Sequence, residues 1–346
     1  MNWLVIMAGG SGERFWPMSR RTKPKQLQPI VGKDSMIQQT VARLRPLFDP
    51  ARIVVVTNRV QAPQVRRQLP GVKHVLAEPV GRNTAPCIGW AAEVIRRRDP
   101  GAVMAVVPAD SWIGDVDRYR QVVRDALALA AEREVLITIG IKPTSPQTGY
   151  GYVRLGKRLN QRFFQAREFV EKPDLATARR YVKSGEYRWN AGMFVWSAAT
   201  ITAAFQQHQP AMAAQLAQIK DARSLARIYP KLEKISVDYA IMEPADNVVV
   251  ANGDFPWDDV GDWPAIERHF AKDAAGNVAR GAFVGVDAQG CVVVSDAGHF
   301  VGLIGVTDLV VVHTADATLV CRKQDAQRVK ELVVKLGAEP RFAQLL

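Results

Sequence analysis

Cysteine is scarce in this sequence, with 3 among 346 residues. Cys87, Cys291 and Cys321 stand far apart, are odd in number and form no CxxC pair. That argues against a disulfide framework and a zinc finger, and it fits a reducing cytoplasmic compartment. Long apolar runs are also missing. No stretch approaches the roughly 20 residues that a membrane-spanning helix needs. The start, Met1-Asn2-Trp3-Leu4-Val5-Ile6-Met7, has no basic n-region, which argues against a signal peptide and for a first core strand. The histidines His74, His208, His269, His299 and His313 show no metal-ligand spacing. There is no low-complexity linker and no clear internal repeat.

What is present is ordinary for a folded chain: 48% hydrophobic and 23% charged residues. The length allows one large domain or two. The net charge of +12 is the unusual feature. It points to an anionic partner: nucleic acid, a membrane surface or a phosphorylated small molecule. No nucleic-acid module is recognisable. The run Arg96-Arg97-Arg98 ends a predicted helix, where cations complement the helix dipole.

The first 140 residues alternate β-rich runs (3–7, 52–57, 103–107 and 135–140) with amphipathic helical stretches. The first helix opens at Ser35 with Gln38 at capping-box spacing and carries Ile37, Val41, Leu44 and Phe48 on one face. The second carries Ile88, Ala91, Ala92 and Ile95, and the third Tyr119, Val122, Val123, Ala126 and Ala130. Alternation of this kind predicts an α/β fold, with a parallel sheet covered by helices on both faces. Ligands are then expected beyond the carboxyl ends of the strands. Further on, the pattern predicts strands at 150–155, 166–170 and 193–196. It predicts a helix at 175–183 and a helical stretch over 198–232 broken near Pro210. A turn-rich segment, Asp273-Ala274-Ala275-Gly276-Asn277, is the best boundary, giving segments 1–268 and 277–346. Five short strands follow it (282–286, 291–294, 300–306, 309–313 and 318–321), then a helix over 325–336. A small β-solenoid is the expected form of this tail.

The most informative segment is Ala8-Gly9-Gly10-Ser11-Gly12-Glu13-Arg14-Phe15-Trp16-Pro17, directly after the first strand. Glycines let backbone N–H groups approach phosphate oxygens closely. Arg14 adds a planar fork of donors, and Lys25 follows after Thr22-Lys23-Pro24. Phe15 stands where a dinucleotide fingerprint needs its third glycine, and there is no Walker lysine-serine, so neither of those loops is present. On glycine content alone, a tight connection with solvated cations is equally compatible.

The full string is more specific. Gly-Gly-x-Gly-x-Arg-x-x-Pro followed by Pro24-Lys25 resembles the signature of the sugar-1-phosphate nucleotidylyltransferases. Further matches come in the family's order: Glu78-Pro79-x-Gly81-Arg82-Asn83-Thr84-Ala85-Pro86, Pro108-Ala109-Asp110, Gly149-Tyr150-Gly151-Tyr152 and Phe169-Val170-Glu171-Lys172-Pro173. Trp189-Asn190-Ala191-Gly192-Met193-Phe194 and Asp259-Val260-Gly261-x-Trp263 complete the set. The combination is similar to the mannose-1-phosphate guanylyltransferase (GDP-mannose pyrophosphorylase) branch of that family. It covers residues 1 to about 265 strongly and the tail more weakly.

The resemblance implies a Rossmann-like nucleotidyltransferase domain, then a β-rich tail like a short left-handed β-helix, often involved in dimers. It implies GTP and mannose 1-phosphate as substrates, GDP-mannose and pyrophosphate as products, and Mg²⁺ as cofactor. The sugar phosphate is already ionised at neutral pH, so no serine, cysteine or histidine base is required. Positioning and electrostatics should carry the catalysis. The resemblance assigns Arg14 and Lys25 to phosphate neutralisation and Asp110 and Asp259 to the metal. It assigns Ala8, Gly9, Gly10, Gly12, Glu78, Asn83 and Thr84 to the nucleotide. It assigns Gly149, Glu171, Lys172 and Asn190 to the sugar phosphate, with Asp238 in support. Ser111 departs from the pattern, because many relatives carry histidine there. With its end at Leu346, the chain is expected to lack the isomerase domain of longer bifunctional relatives. No nucleic acid and no membrane are expected as partners, and a homodimer is. Competing readings are a UTP- or dTTP-dependent enzyme acting on glucose 1-phosphate, a non-catalytic regulatory relative and a nucleic-acid-binding protein.

Overall fold

The computed structural model describes every residue from Met1 to Leu346. It divides into two compact units, each discontinuous in sequence. The first holds Met1–Gly9, Thr40–Ala109 and Ile113–Asp258. The second holds Gly10–Gln39, Asp110–Trp112 and Asp259–Leu346. The segments expected from sequence, 1–268 and 277–346, are consecutive stretches. The packing units are not, because residues 10–39 and 110–112 cluster with the tail.

The chain's first eleven strands are β1 (Asn2–Met7), β2 (Ile53–Asn58), β3 (His74–Glu78), β4 (Val103–Pro108), β5 (Trp112–Ile113), β6 (Leu136–Ile141), β7 (Tyr152–Arg158), β8 (Phe163–Val170), β9 (Tyr187–Ser197), β10 (Val248–Gly253) and β11 (Trp257–Asp258). Nine of them form the sheet of the first unit, in the order β3-β2-β1-β4-β9-β6-β10-β8-β7. The sheet is mostly parallel; β8 and β9 run against the other strands. The helices up to residue 228 are α1 (Met36–Leu44), α2 (Ala62–Gln68), α3 (Thr84–Arg98), α4 (Val116–Glu132), α5 (Leu175–Ser184), α6 (Ala198–His208), α7 (Pro210–Ala217) and α8 (Ala222–Ile228).

Burial on both faces explains the unbroken apolar strands. Trp3 and Val5 of β1 pack with Ile88, Ala91, Ala92 and Ile95 of α3. Leu4 and Ile6, pointing the other way by the pleat, are equally buried. The third predicted helix is α4. Its Asp115 cap accepts the Arg118 N–H at 3.0 Å, and Tyr119, Val122, Val123, Ala126 and Ala130 are buried. Pro210 breaks the later helical stretch as expected. It opens α7 where a missing N–H costs nothing.

In the second unit the tail builds β12 (Val278–Arg280), β13 (Ala282–Val286), β14 (Val292–Ser295), β15 (Phe300–Ile304), β16 (Leu309–Thr314) and β17 (Ala317–Arg322). β12, β14 and β16 pair in parallel, and so do β13 and β15. The chain thus coils between two sheets, and β17 closes the larger one antiparallel to β16. The β14 and β16 strands again feed two cores. Val292, Val294, Val310 and Val312 join Phe15, Trp16, Ile30, Val260, Trp263 and Ile266. Val293 and Val311 turn to Cys291 and Val301. The last helix, α9 (Val329–Gly337), adds Val329 to the first of these cores.

Candidate active site

Within the second unit, the glycine loop is a tight turn built around Lys25. Gly12 sits at φ 61°, a left-handed conformation that glycine adopts without penalty. A Cβ there would lie 2.6 Å from Lys25 Cβ and 2.8 Å from its backbone nitrogen. Lys25 is only 5% exposed. Its Nζ pairs with Asp110 Oδ2 at 2.9 Å, donates to the Asp259 carbonyl oxygen at 2.6 Å and lies over the Phe15 ring. Three residues far apart in sequence therefore meet on one ammonium. Val260, next to Asp259, has φ 46°, an uncommon strain for a β-branched residue and of the kind found at functional sites. Arg14 is exposed and engages no partner. It projects from a single 3₁₀ turn, Glu13–Phe15.

Within the first unit, Ala8, Gly9 and Glu78 come together. The Ala8 N–H donates to Val56 O at 2.7 Å, and its carbonyl accepts the Thr57 hydroxyl at 2.9 Å. A Cβ on Gly9 would stand 2.9 Å from Glu78 Oε2. Glu78 is buried, and its Oε1 accepts a hydrogen bond from the Tyr229 hydroxyl. Burial pushes the Glu78 carboxyl from 4.5 up to about 7, with the Tyr229 bond opposing. Asn83, at φ 68°, caps α3 through Thr84 N–H at 2.9 Å. The Thr84 hydroxyl accepts the Val237 N–H at 2.8 Å. Both residues do structural work at the helix start, whatever else they bind.

The same unit holds a second polar cluster. Asn190 Oδ1 accepts the Thr138 hydroxyl at 2.8 Å and the Gly192 N–H at 3.2 Å, and its Nδ2 donates to Asp238 Oδ1 at 2.7 Å. Glu171 Oε1 pairs with Lys172, whereas Oε2 is buried without a partner and lies against Gly151. Burial, and then the Glu171 carboxylate, push Asp238 up to about 6. Lys172 is itself at φ 50°. Tyr150 meets Trp189 and Trp257 edge-on, at 5.1 and 5.4 Å between ring centroids. Gly149 lies two residues before Gly151, with open space on its Cβ side.

Comparison with known proteins gives the family of the chain. A model of the nucleotidyl transferase family matches residues 4–276. The chain belongs to the nucleotidyl transferase family. Residues 281–336 match a mannose-phosphate isomerase/GMP-like β-helix domain. Among curated relatives, a xanthan biosynthesis protein XanB of Xanthomonas campestris pv. campestris (strain B100) is 38% identical over 97% of this chain and 73% of that protein. A mannose-1-phosphate guanylyltransferase of Escherichia coli (strain K12) is 37% identical over 97% of this chain and 74% of that protein. A crystal structure described as a mannose-1-phosphate geranyltransferase from Thermus thermophilus superposes with a TM-score of 0.89. It is 39% identical, over 97% of this chain and 99% of that one.

Sequence reasoning about this nucleotidyl transferase missed Tyr229, Thr138 and Trp257. Tyr229 is 151 positions from the carboxylate it binds, and no local pattern links them. The Glu78 site also gives the transferase a pH-dependent stability. Between pH 4.5 and about 7 the unfolded chain has lost this proton and the folded chain keeps it. The contribution of Glu78 to stability therefore falls as pH rises through that window and stays low above it. Glu78→Gln is expected to gain on wild type by up to about 3 kcal/mol at pH 8 and by nearly nothing at pH 4. Urea unfolding at both values checks it.

Proposed function

We propose that this nucleotidyl transferase moves GMP from GTP to mannose 1-phosphate, releasing pyrophosphate and forming GDP-mannose. The observation that carries the reading is the buried Lys25 held by Asp110 and Asp259 above the Gly12 turn. Two anions must meet in this reaction, and charge must be stabilised as pyrophosphate leaves. The exposed guanidinium of Arg14 takes the GTP phosphates and the leaving group. Lys25 meets the α-phosphate and the incoming sugar phosphate. The loop amides of Gly10 and Gly12 add further donors. The sugar phosphate oxygen attacks the α-phosphorus directly, so no protein nucleophile is needed. Pyrophosphate release with every pairing of GTP, ATP, UTP or dTTP with mannose or glucose 1-phosphate tests this. GTP with mannose 1-phosphate is expected to rank first, and any other leading pair overturns the assignment.

Glu78, with Ala8, Gly9, Asn83 and Thr84, reads the base. A carboxylate beside the Gly9 backbone accepts from a purine's N–H edge, and leaving those groups unpaired penalises other bases. Glu171 and Asn190 take the mannose hydroxyls, with Lys172 on the sugar phosphate and Gly149 giving backbone access. The buried Glu171 Oε2, which has no partner, is an acceptor such a hydroxyl would fill. Glu171→Gln is expected to raise KM for mannose 1-phosphate by about 10- to 100-fold while leaving KM for GTP near wild type. Equal changes in both constants, or none, would remove Glu171 from the sugar site.

Asp110 and Asp259 offer hard oxygen donors, and a carboxylate paired at one oxygen keeps further lone pairs. Such a pair suits Mg²⁺, which takes one or two carboxylates and keeps water and phosphate oxygens for the rest. When bound, magnesium would neutralise phosphate charge beside Lys25.

A homodimer through the tail completes the reading. The outward face of β13 and β15 presents Ala282, Val284, Val286, Phe300, Gly302 and Ile304, with no charge among them. A contiguous apolar patch of this kind marks an interface. On a chain of net charge +12, an uncharged face lets a second copy approach without opposing like charges. Wild type is expected to sediment as a dimer and Ile304→Asp as a monomer; a monomeric wild type at micromolar concentration refutes it. No helix is long and apolar enough to cross a membrane. The three cysteines are unpaired, as in a reducing cytoplasm, where nucleoside triphosphates are made.

A further inference from the structure

Phe15 and Trp16 follow Arg14 in the signature loop; Phe15 lies under the Lys25 ammonium, and Trp16 has no part in the chemistry above. Both are buried, at 1% and 6% exposure. Phe15 meets Trp263 edge-on at 4.9 Å between centroids, and Trp263 Nε1 donates to the Trp16 carbonyl at 3.0 Å. The Trp16 indole N–H donates in turn to the Leu345 carbonyl at 2.8 Å. Arg20 donates to that same carbonyl and also pairs with Asp316 at 2.7 Å, in the turn between β16 and β17. The Arg21 N–H donates to the Leu346 main-chain oxygen at 3.0 Å. All of these residues lie in the second unit. From either side, then, residues 12–21 are fastened: by Lys25 under Gly12, and by the last residues of the tail beyond Arg14.

We propose that residues 340–346 position the phosphate loop for GTP, acting through Trp16 and Arg20. The inference rests on Arg14 binding the GTP phosphates. The Arg14 side chain is free, so its backbone must supply the preorganisation. A loop fixed on both sides spends less of its binding energy on ordering when the triphosphate arrives. If release of the tail lets the loop leave its binding-competent position, the apparent affinity for GTP falls by the competent fraction. Saturating GTP restores the loop, so turnover is largely kept. Glu171, Asn190 and Lys172 share none of these contacts, and Lys25, which meets the sugar phosphate, is held by Asp110 and Asp259 and not by the tail, so KM for mannose 1-phosphate is spared.

The test compares wild type, Trp16→Phe, Asp316→Asn and Arg14→Ala by pyrophosphate release, varying each substrate in turn. Trp16→Phe keeps a buried aromatic ring, removes the donor to Leu345 and leaves a smaller ring beneath the Arg20 guanidinium. It is expected to raise KM for GTP about tenfold, to change kcat by less than threefold and to leave KM for mannose 1-phosphate unchanged. Asp316→Asn, at an exposed position, is expected to act in the same direction by about threefold. Should Trp16→Phe fail to fold, Asp316→Asn carries the test. Wild-type KM for GTP in the folded variants, or an equal rise in both KM values, overturns the positioning role. If Arg14→Ala lowers kcat/KM strongly while those variants behave as wild type, the positioning role alone is lost. If Arg14→Ala behaves as wild type, the phosphate-site reading itself is lost.

Discussion

Lys25→Met is expected to lower turnover by about 10²- to 10³-fold while leaving the protein folded. The methionine keeps most of the volume of the buried stem and removes the charge. What is lost is a preformed donor aimed at developing phosphate charge, and deleting one such donor elsewhere costs this much. Coulomb's law gives the same scale: a unit pair at 4 Å is worth about 4 kcal/mol at an effective dielectric near 20. The structural cost is smaller. Asp110, the ion-pair partner, has a side chain 37% exposed, so water replaces the ammonium. The Asp259 carbonyl loses one charge-assisted bond, worth about 1.5–3 kcal/mol. Steady-state kinetics and a melting curve on the same preparation check both halves. Turnover near wild type would remove Lys25 from the site.

Gly12→Ala is expected to do comparable damage by a different route. An alanine at φ 61° costs about 1–2 kcal/mol before any contact is counted. Its methyl would then stand 2.6 Å from Lys25 Cβ and 2.8 Å from the Lys25 backbone nitrogen, so the turn itself must move. Displacing Lys25 by even 1 Å from its phosphates costs on the order of 10²-fold. The expected result is at least that loss of turnover, with stability lowered by about 2–4 kcal/mol. Gly10→Ala is the control for the stability half. Nothing lies within 4 Å of its Cβ and its φ is not positive, so its melting temperature should match wild type. Equal melting temperatures for the two alanine variants would show that the steric reading of Gly12 is wrong.

The strands buried on both faces were readable because both alternating sets of side chains are apolar. β1, β2, β4 and β6 are of this kind, and each lies within a residue or so of its expected place. β3 gave no such signal, since four of its five residues are only half-buried. The antiparallel entry of β9 between β4 and β6 was not readable either, because pairing direction is settled by tertiary contacts. The glycine loop stood out in the sequence as a candidate phosphate loop, yet its packing did not. The Trp16–Leu345 bond spans 329 positions and the Lys25–Asp259 bond 234. For the same reason the turn at 273–277 was visible, while the clustering of residues 10–39 and 259–268 with the tail was invisible.

The direct attack of the sugar phosphate on the α-phosphorus can be tested by its stereochemistry. GTP carrying a chiral phosphorothioate at the α-position, turned over with mannose 1-phosphate, should give GDP-mannose of inverted configuration at that phosphorus, as a single in-line displacement requires. Retention would mean two displacements through a guanylylated side chain. It would contradict a site in which Arg14, Lys25, Asp110 and Asp259 position and neutralise the reactants without bonding to them.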